Sequence, residues 1–165
     1  MTTKNSTLVS NFEANPMSMS PAHKLNGVIR TIQGTVALLT SDLNASDIVM
    51  LAPIPTNASV LSIKLFNDDL DSGSTNTCDV GLYTTDGTAV DDDAYASAIT
   101  DLRTANTTGT EVAFEARDIN KCGQQVWQDG GQTSDPSAYY YIALTFDAAG
   151  NQAGDLSFQI QYVIN

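Results

Sequence analysis

Carboxylates are the most abundant reactive groups in this sequence, and two runs place them close together. Asp91, Asp92 and Asp93 are consecutive, and residues 68–71 read Asp-Asp-Leu-Asp. Calcium prefers several oxygen ligands. However, neither run has the D-x-[DN]-x-[DN]-G spacing of a calcium loop, and consecutive side chains are expected to point in different directions. We therefore predict that folding needs no metal and no cofactor.

Residues for nucleophilic catalysis are scarce. His23 is the only histidine, so a Ser/His/Asp or Cys/His site would have to use it. Cys78 and Cys122 form no metal-binding pattern, and we expect Cys78 to be a buried thiol and a bridge between the two to be absent. Paired carboxylates, as in glycosidases, remain formally possible. The sequence predicts no catalytic residue and a protein that is not an enzyme.

Aromatic residues offer one further chemistry, which is stacking on a sugar ring. Trp127 precedes a Gly-rich loop, and three tyrosines follow one another at residues 139–141. A sugar-binding β-sandwich is therefore an alternative interpretation. A single Trp in such a domain is more often part of the core, and we favour that interpretation of Trp127.

Charge is distributed unevenly along the 165 residues. The net charge is −12, which argues against partners such as nucleic acid and anionic membranes. Residues 1–30 carry three basic residues and one acidic residue, a net charge of +2, whereas the remainder carries −14. We find no signal peptide and no apolar run of the length that spans a membrane.

Alternating apolar and polar residues predict about eight strands and an all-β, antiparallel two-sheet sandwich, with a jelly roll as the favoured topology. We expect residues 59–87 to form a central hairpin that ends in a tight turn at Asp86-Gly87. Gly34 is expected to mark a bulge or bend. Strand parity predicts a core of Val28, Ile32, Val36, Leu61, Ile63, Leu65, Val80, Leu82, Tyr140, Ile142, Leu144, Phe146, Leu156, Phe158 and Ile160.

One short helix is predicted to begin at the Asp triplet. Acidic residues suit a helix N-terminus. Tyr95, Ile99 and Leu102, together with Ala98, would then form its apolar stripe. We expect this helix to lie across the sandwich within a long connection.

The N-terminal segment, residues 1–24, is predicted to be an arm that precedes a sandwich domain at 25–165. Pro16 and Pro21 disfavour both a helix and a ladder strand, so we expect the arm to be extended. A disordered tail is the alternative. If the arm docks on a partner, its candidate binding residues are Phe12, Met17, Met19 and Lys24.

Several short motifs occur in a fixed order along the chain: Asp79-Val80-Gly81-Leu82-Tyr83, Tyr95-Ala96-Ser97-Ala98, Trp127-Gln128 with Gly131 and Asp135-Pro136, and Ala153-Gly154 followed by Gln161-Tyr162-Val163. Over roughly residues 27–164, the sequence resembles the small β-sandwich virion proteins of tailed bacteriophages, of the capsid cement or decoration type.

This resemblance implies a structural protein that binds the outside of the capsid shell and reinforces it. Its partner would be the major capsid protein, and it would form a homo-oligomer, with a trimer favoured. It implies no catalytic residues. Assembly in the cytoplasm of the host bacterium would fit the reduced cysteines, and the mature location would be the exterior of the virion.

Overall fold

The computed structural model describes residues 3–164, so Met1, Thr2 and Asn165, which the predicted arm and domain include, lie outside the described residues. Residues 3–164 form eight strands, three short helices and three single 3₁₀ turns. The helices are α1 (Thr7–Glu13), α2 (Ala22–Leu25) and α3 (Val126–Asp129). The strands are β1 (Ile29–Leu38), β2 (Ile48–Pro55), β3 (Ala58–Asn67), β4 (Thr77–Tyr83), β5 (Ala89–Ile99), β6 (Asn106–Glu111), β7 (Tyr139–Ala148) and β8 (Gly154–Ile164).

Two four-stranded antiparallel sheets confirm the predicted sandwich. The first sheet has the order β1-β8-β3-β6, and the second has the order β2-β7-β4-β5. The first strand therefore pairs with the eighth, the second with the seventh, the third with the sixth and the fourth with the fifth. A long hairpin that is folded at the β4–β5 turn and then rolled up gives this order, which is that of a jelly roll.

The predicted turn at Asp86-Gly87 is present, but it joins β4 to β5. Gly87 has a φ of 85°, which favours glycine, and its N–H donates to the Thr84 carbonyl at 3.1 Å. The predicted central hairpin is wrong, because β3 lies in the first sheet and β4 in the second. The polar loop of residues 68–76 crosses between the sheets.

A buried carboxylate organises that crossing loop. Asp71 is buried and accepts hydrogen bonds from the backbone N–H groups of Gly73, Thr75 and Asn76 at 2.9–3.1 Å. These bonds, the one from Asn76 first, hold the pKa of Asp71 below its ordinary value.

The core lies between the two sheets, and most of the predicted core residues are in it. Two assignments fail for local reasons. Val28 is 76% exposed because it precedes β1. Leu61 is only half-buried because β3 has a bulge between Val60 and Ser62, which turns Val60 inward instead. Ile32 and Val36 are partly buried and pack against the core.

The predicted helix at the Asp triplet is wrong, since residues 89–99 form β5. Val80 pairs with Ala96 and Leu82 pairs with Asp91, so Gly81 alone faces residues 92–95 of an enlarged bulge. This bulge buries Tyr95, and Ile99 and the following Leu102 are buried as well. Three residues of the predicted apolar stripe are therefore buried, whereas Ala98 is exposed, and a bulged strand and a 3₁₀ turn at Asp101–Arg103 produce this pattern in place of a helix.

Gly34 lies in a regular part of β1, and the predicted bulge there is wrong. Its cross-strand partner is Phe158, and a Cβ on Gly34 would come 2.9 Å from the tip of the Phe158 ring. The glycine thus leaves space for an aromatic ring on the inner face of the sheet.

Candidate partner-binding surface

The N-terminal arm is compact and contains a helix, which corrects the expectation that it is extended. Ser6 caps α1 by accepting a hydrogen bond from the Val9 N–H at 3.3 Å. After the helix, the chain turns back along it. The Ser18 N–H donates to the Asn11 carbonyl at 3.0 Å, and the Asn11 side-chain amide donates to Ser20 Oγ at 3.1 Å. Helix formation is possible because Pro16 follows α1 and does not interrupt it.

This return path forms an open apolar groove of about 430 Å³ on the arm, lined by Leu8, Val9, Phe12, Met17, Ser18, Met19, Ser20 and Leu25. The walls are unusually exposed for large apolar side chains, at 74% for Phe12, 62% for Met17 and 89% for Met19. We call this surface the arm groove. Three predicted binding residues are therefore brought together.

Lys24, the fourth predicted binding residue, lies at the base of the arm and does not line the groove. Its side-chain methylenes lie 3.4–3.8 Å from where a Cβ on Gly123 would be, so they pack on that glycine. Partial burial of the neighbouring His23 ring, followed by the charge of Lys24, lowers the pKa of His23.

The base of the arm also covers the end of the first sheet. Val163 shares the outward parity of Gln159 and Gln161, yet it is only 4% exposed. A Cβ on Gly27 would lie 2.3 Å from Val163 Cγ1, so glycine is required for this close contact. The arm is therefore attached on the outer side of the first sheet.

The outer side of the second sheet carries a cluster of carboxylates, which the sequence patterns did not predict. Asp79 on β4 and Asp147 on β7 lie next to each other, and burial, followed by the proximity of Asp147, raises the pKa of Asp79. The carboxylates of Asp91, Asp92 and Asp93 on β5 lie within 4.8 Å of one another. The expectation that these three diverge is wrong, because they lie on the bulge. We call the five residues the acidic face.

The acidic face still offers no buried ligand cage, because Asp92 and Asp93 are exposed. That no metal is needed stays a prediction, and unchanged melting temperatures in EDTA and in calcium would support it.

Apolar side chains lie beside the acidic face on the same sheet. β2 is an edge strand, and its outward residues include Ile48, Met50 and Pro53. Ile48 is 39% exposed, and Tyr139 on the adjacent β7 is 59% exposed. We call these four residues the apolar strip.

The tyrosine cluster does not form a three-ring platform for a sugar. Tyr140 is buried in the core, while its neighbours Tyr139 and Tyr141 point to the outer side of the sheet. Trp127 is half-buried, and its Nε1–H donates to the Gln125 side chain at 2.8 Å. The interpretation of Trp127 as a core residue is therefore correct only in part.

A buried ion pair is the most unusual polar feature of the interior. Arg117 Nη2 lies 3.0 Å from Asp129 Oδ1, and both side chains are 1% exposed. The guanidinium stacks on the Phe114 and Tyr95 rings, with 4.9 and 5.7 Å to the ring centroids. It also donates to the carbonyls of Val60, Lys121 and Gln124. This cluster fixes the long connection between β6 and β7 against β3 and β5.

Burial raises the pKa of Asp129 to about 6, and the Arg117 charge offsets only part of that effect. Sequence patterns assign no role to Asp129 or to Arg117. The available signal was an arginine three residues after the aromatic Phe114, in a segment without strand periodicity.

Both cysteines are free thiols, as predicted. Cys78 is buried, which raises the pKa of its thiol, and Cys122 is exposed. Within residues 3–164, no helix has the length and apolar character needed to cross a membrane.

Comparison with solved structures identifies the same fold in phage capsids. One similar chain belongs to the capsid asymmetric unit of cyanophage Pam1, with a TM-score of 0.57, 18% identity and coverage of 100% of both chains. Another belongs to the capsid of Ralstonia phage GP4, with a TM-score of 0.59, 17% identity and coverage of 89% of this chain and 91% of that one. The chain has the fold of phage capsid proteins. No family model matches the sequence, and no curated protein matches it.

Proposed function

We propose that this protein is a virion structural protein of the cement or decoration type, which binds the outside of a phage capsid shell and reinforces it. The observation that carries the proposal is the likeness in fold, over the whole chain, to a chain of a phage capsid. The protein acts by binding and not by catalysis. Its partners are the major capsid protein and further copies of itself, with a trimer favoured, and it assembles in the cytoplasm of the host bacterium.

The arm supplies the attachment to the shell or to a neighbouring subunit. Seven of the eleven large apolar side chains that are exposed among the described residues lie within residues 9–29. Patches of this kind mark interaction sites, because leaving them in water is unfavourable. The compact fold of the arm lowers the ordering cost of binding. Phe12, Met17 and Met19 provide the apolar contacts, and Lys24 holds the arm to the sandwich.

Heads that are assembled without this protein provide the test. Purified full-length chain is added to them, and occupancy on the outer surface is measured by cryo-electron microscopy. We expect saturable binding at fixed positions. Absence of binding to heads of the cognate phage, at any concentration, would overturn the proposal. Binding to a host-surface glycan in place of the head would favour the sugar-binding alternative.

Variants then test the arm. We expect simultaneous Phe12→Ser, Met17→Ser and Met19→Ser substitutions to reduce occupancy at least tenfold, while Ile119→Ser, which changes an exposed apolar residue outside the groove, leaves occupancy unchanged. A variant that lacks residues 2–20 keeps α2 and the residues that cover Val163. If this truncated variant binds heads with normal occupancy, the attachment lies on the loops of the sandwich instead.

A further inference from the structure

We propose that the arm groove of one subunit binds the outer side of the second sheet of another copy of this chain, on the apolar strip and the acidic face. The inference rests on the proposed function, which includes a homo-oligomer, and names the partner of the arm. The inference specifies which two surfaces meet. Because these two surfaces differ, the contact is heterologous.

Charge complementarity favours a second copy as the partner. The arm and the start of β1 carry Lys4, Lys24 and Arg30. Their one carboxylate, Glu13, accepts a hydrogen bond from the Asn5 amide at 2.8 Å and is thus engaged within the arm. The acidic face presents five carboxylates on one side of the sandwich. Opposite potentials steer such surfaces together and select against other pairings.

Apolar complementarity points to the same pair of surfaces. Phe12, Met17 and Met19 have no apolar cover in the subunit. The apolar strip offers Ile48, which pairs with Thr145 in the row of Asp79, and Tyr139 at the other end of the same sheet edge. Both surfaces therefore combine an apolar part with a charged part, and the charges have opposite signs. Aromatic rings and methionines are typical anchors of protein interfaces.

The position of the arm prevents the same contact from forming within one subunit. The arm is attached through Gly27 and Val163 on the outer side of the first sheet, whereas the acidic face and the apolar strip lie on the outer side of the second sheet. The sandwich core separates the two. The contact must therefore run from one copy to the next, head to tail, and such contacts close into rings when the rotation permits. A cyclic trimer satisfies this condition.

The first experiment measures the mass of the full-length chain in solution by light scattering, without heads. We expect an oligomer whose dissociation constant increases with salt. Phe12→Ser with Met19→Ser, and separately Ile48→Ser with Tyr139→Ser, should each weaken association at least tenfold. Asp79→Asn with Asp147→Asn should weaken it and reduce its salt dependence. Ile119→Ser is the matched control and should have no effect.

Cross-linking tests the pairing directly. In a Cys122→Ser background, a Met19→Cys chain is mixed with a Tyr139→Cys chain and oxidised. We expect a disulfide-linked heterodimer, and we expect none when Ile119→Cys replaces Tyr139→Cys. Circular dichroism confirms that each variant is folded.

A monomeric wild-type chain at all concentrations would overturn this inference, as would arm variants that keep the wild-type mass. If those variants keep their mass but no longer bind heads, the arm contacts the shell, so the proposed function stands and this inference fails. If the wild-type chain forms the predicted contact but never binds heads, the inference stands and the proposed function fails.

Discussion

At the scale of single residues, the most unusual feature is the Arg117–Asp129 ion pair, which is buried in the interior of the sandwich. Arg117 and Asp129 lose hydration on burial, and their attraction, together with the aromatic rings and carbonyls around the guanidinium, offsets part of this loss. Removal of one partner would leave the other charge buried and unpaired. The pair therefore specifies how the β6–β7 connection packs.

Asp129 makes the stability of the protein depend on pH. Its pKa of about 6 in the folded chain exceeds the ordinary value of 3.8, so the folded chain binds more protons between these values. The free energy of unfolding is then expected to decrease by roughly 3 kcal/mol from this group as the pH increases from 4 to above 6. Urea titrations across this window measure the decrease.

The Asp129→Asn variant isolates that contribution. Its stability should vary less between pH 4 and 6, because the side chain that gains a proton in this window has been removed. Asp118→Asn, at an exposed carboxyl of the same connection, is the control and should retain the wild-type slope. An unchanged slope in Asp129→Asn would show that other groups cause the pH dependence.

Phe158 tests the core register. Its ring is 6% exposed and lies over Gly34. We expect Phe158→Ala to lower the free energy of unfolding by about 3–5 kcal/mol. Gln159→Ala, on the outward side of the same strand, should change it by less than about 0.5 kcal/mol. A loss below about 1 kcal/mol for Phe158→Ala in denaturant titration would contradict the assigned register.

Strand parity predicts burial well in the long regular strands and poorly elsewhere. Every second residue is buried from Tyr140 to Phe146 in β7 and from Leu156 to Ile160 in β8, so residues such as Ile142 and Ile160 are correctly assigned to the core. Leu43 and Leu70 are fully buried in connections, where no periodicity exists to reveal them. The pairing of Arg117 with Asp129 joins residues of one irregular connection, and no sequence pattern predicts which charges meet there.

At the scale of elements, the bulge in β5 explains why a helix was predicted there. In this bulge, four residues of β5 lie opposite one residue of β4. The buried side chains of β5 are therefore spaced like the apolar stripe of a helix. The decisive information is in β4, since only glycine at position 81 allows the β5 backbone to approach so closely. The sequence of β5 alone cannot reveal this constraint, because it depends on a residue of β4.

Gly81→Ala should therefore be severely destabilising. The added Cβ would lie 2.2 Å from the Asp91 carbonyl oxygen and 2.3 Å from the Asp92 carbonyl carbon, so backbone must move. We expect a loss of about 3 kcal/mol or more in thermal or denaturant unfolding. Gly73→Ala, whose Cβ would meet only the Asp71 side chain at 3.2 Å, should cost much less. Similar losses for both variants would contradict the role assigned to Gly81.

At the scale of the whole molecule, the sequence predicts the sandwich, the jelly roll and an arm with exposed Phe12, Met17 and Met19. It does not predict which strands share a sheet, because the rolled pairing joins strands that are far apart in the chain, such as Ile29–Leu38 with Gly154–Ile164. The different characters of the two outer surfaces follow from that pairing. Sequence patterns therefore do not predict the acidic face.

The central claim, a structural role on the capsid, is tested most directly by the number of copies of this chain in purified, filled heads of its phage. Quantitative mass spectrometry of those heads gives the ratio of this chain to the major capsid protein. The account predicts a fixed ratio that is consistent with regular occupation of sites across the icosahedral shell. Absence from the heads, or a few copies that follow the tail instead, would contradict it.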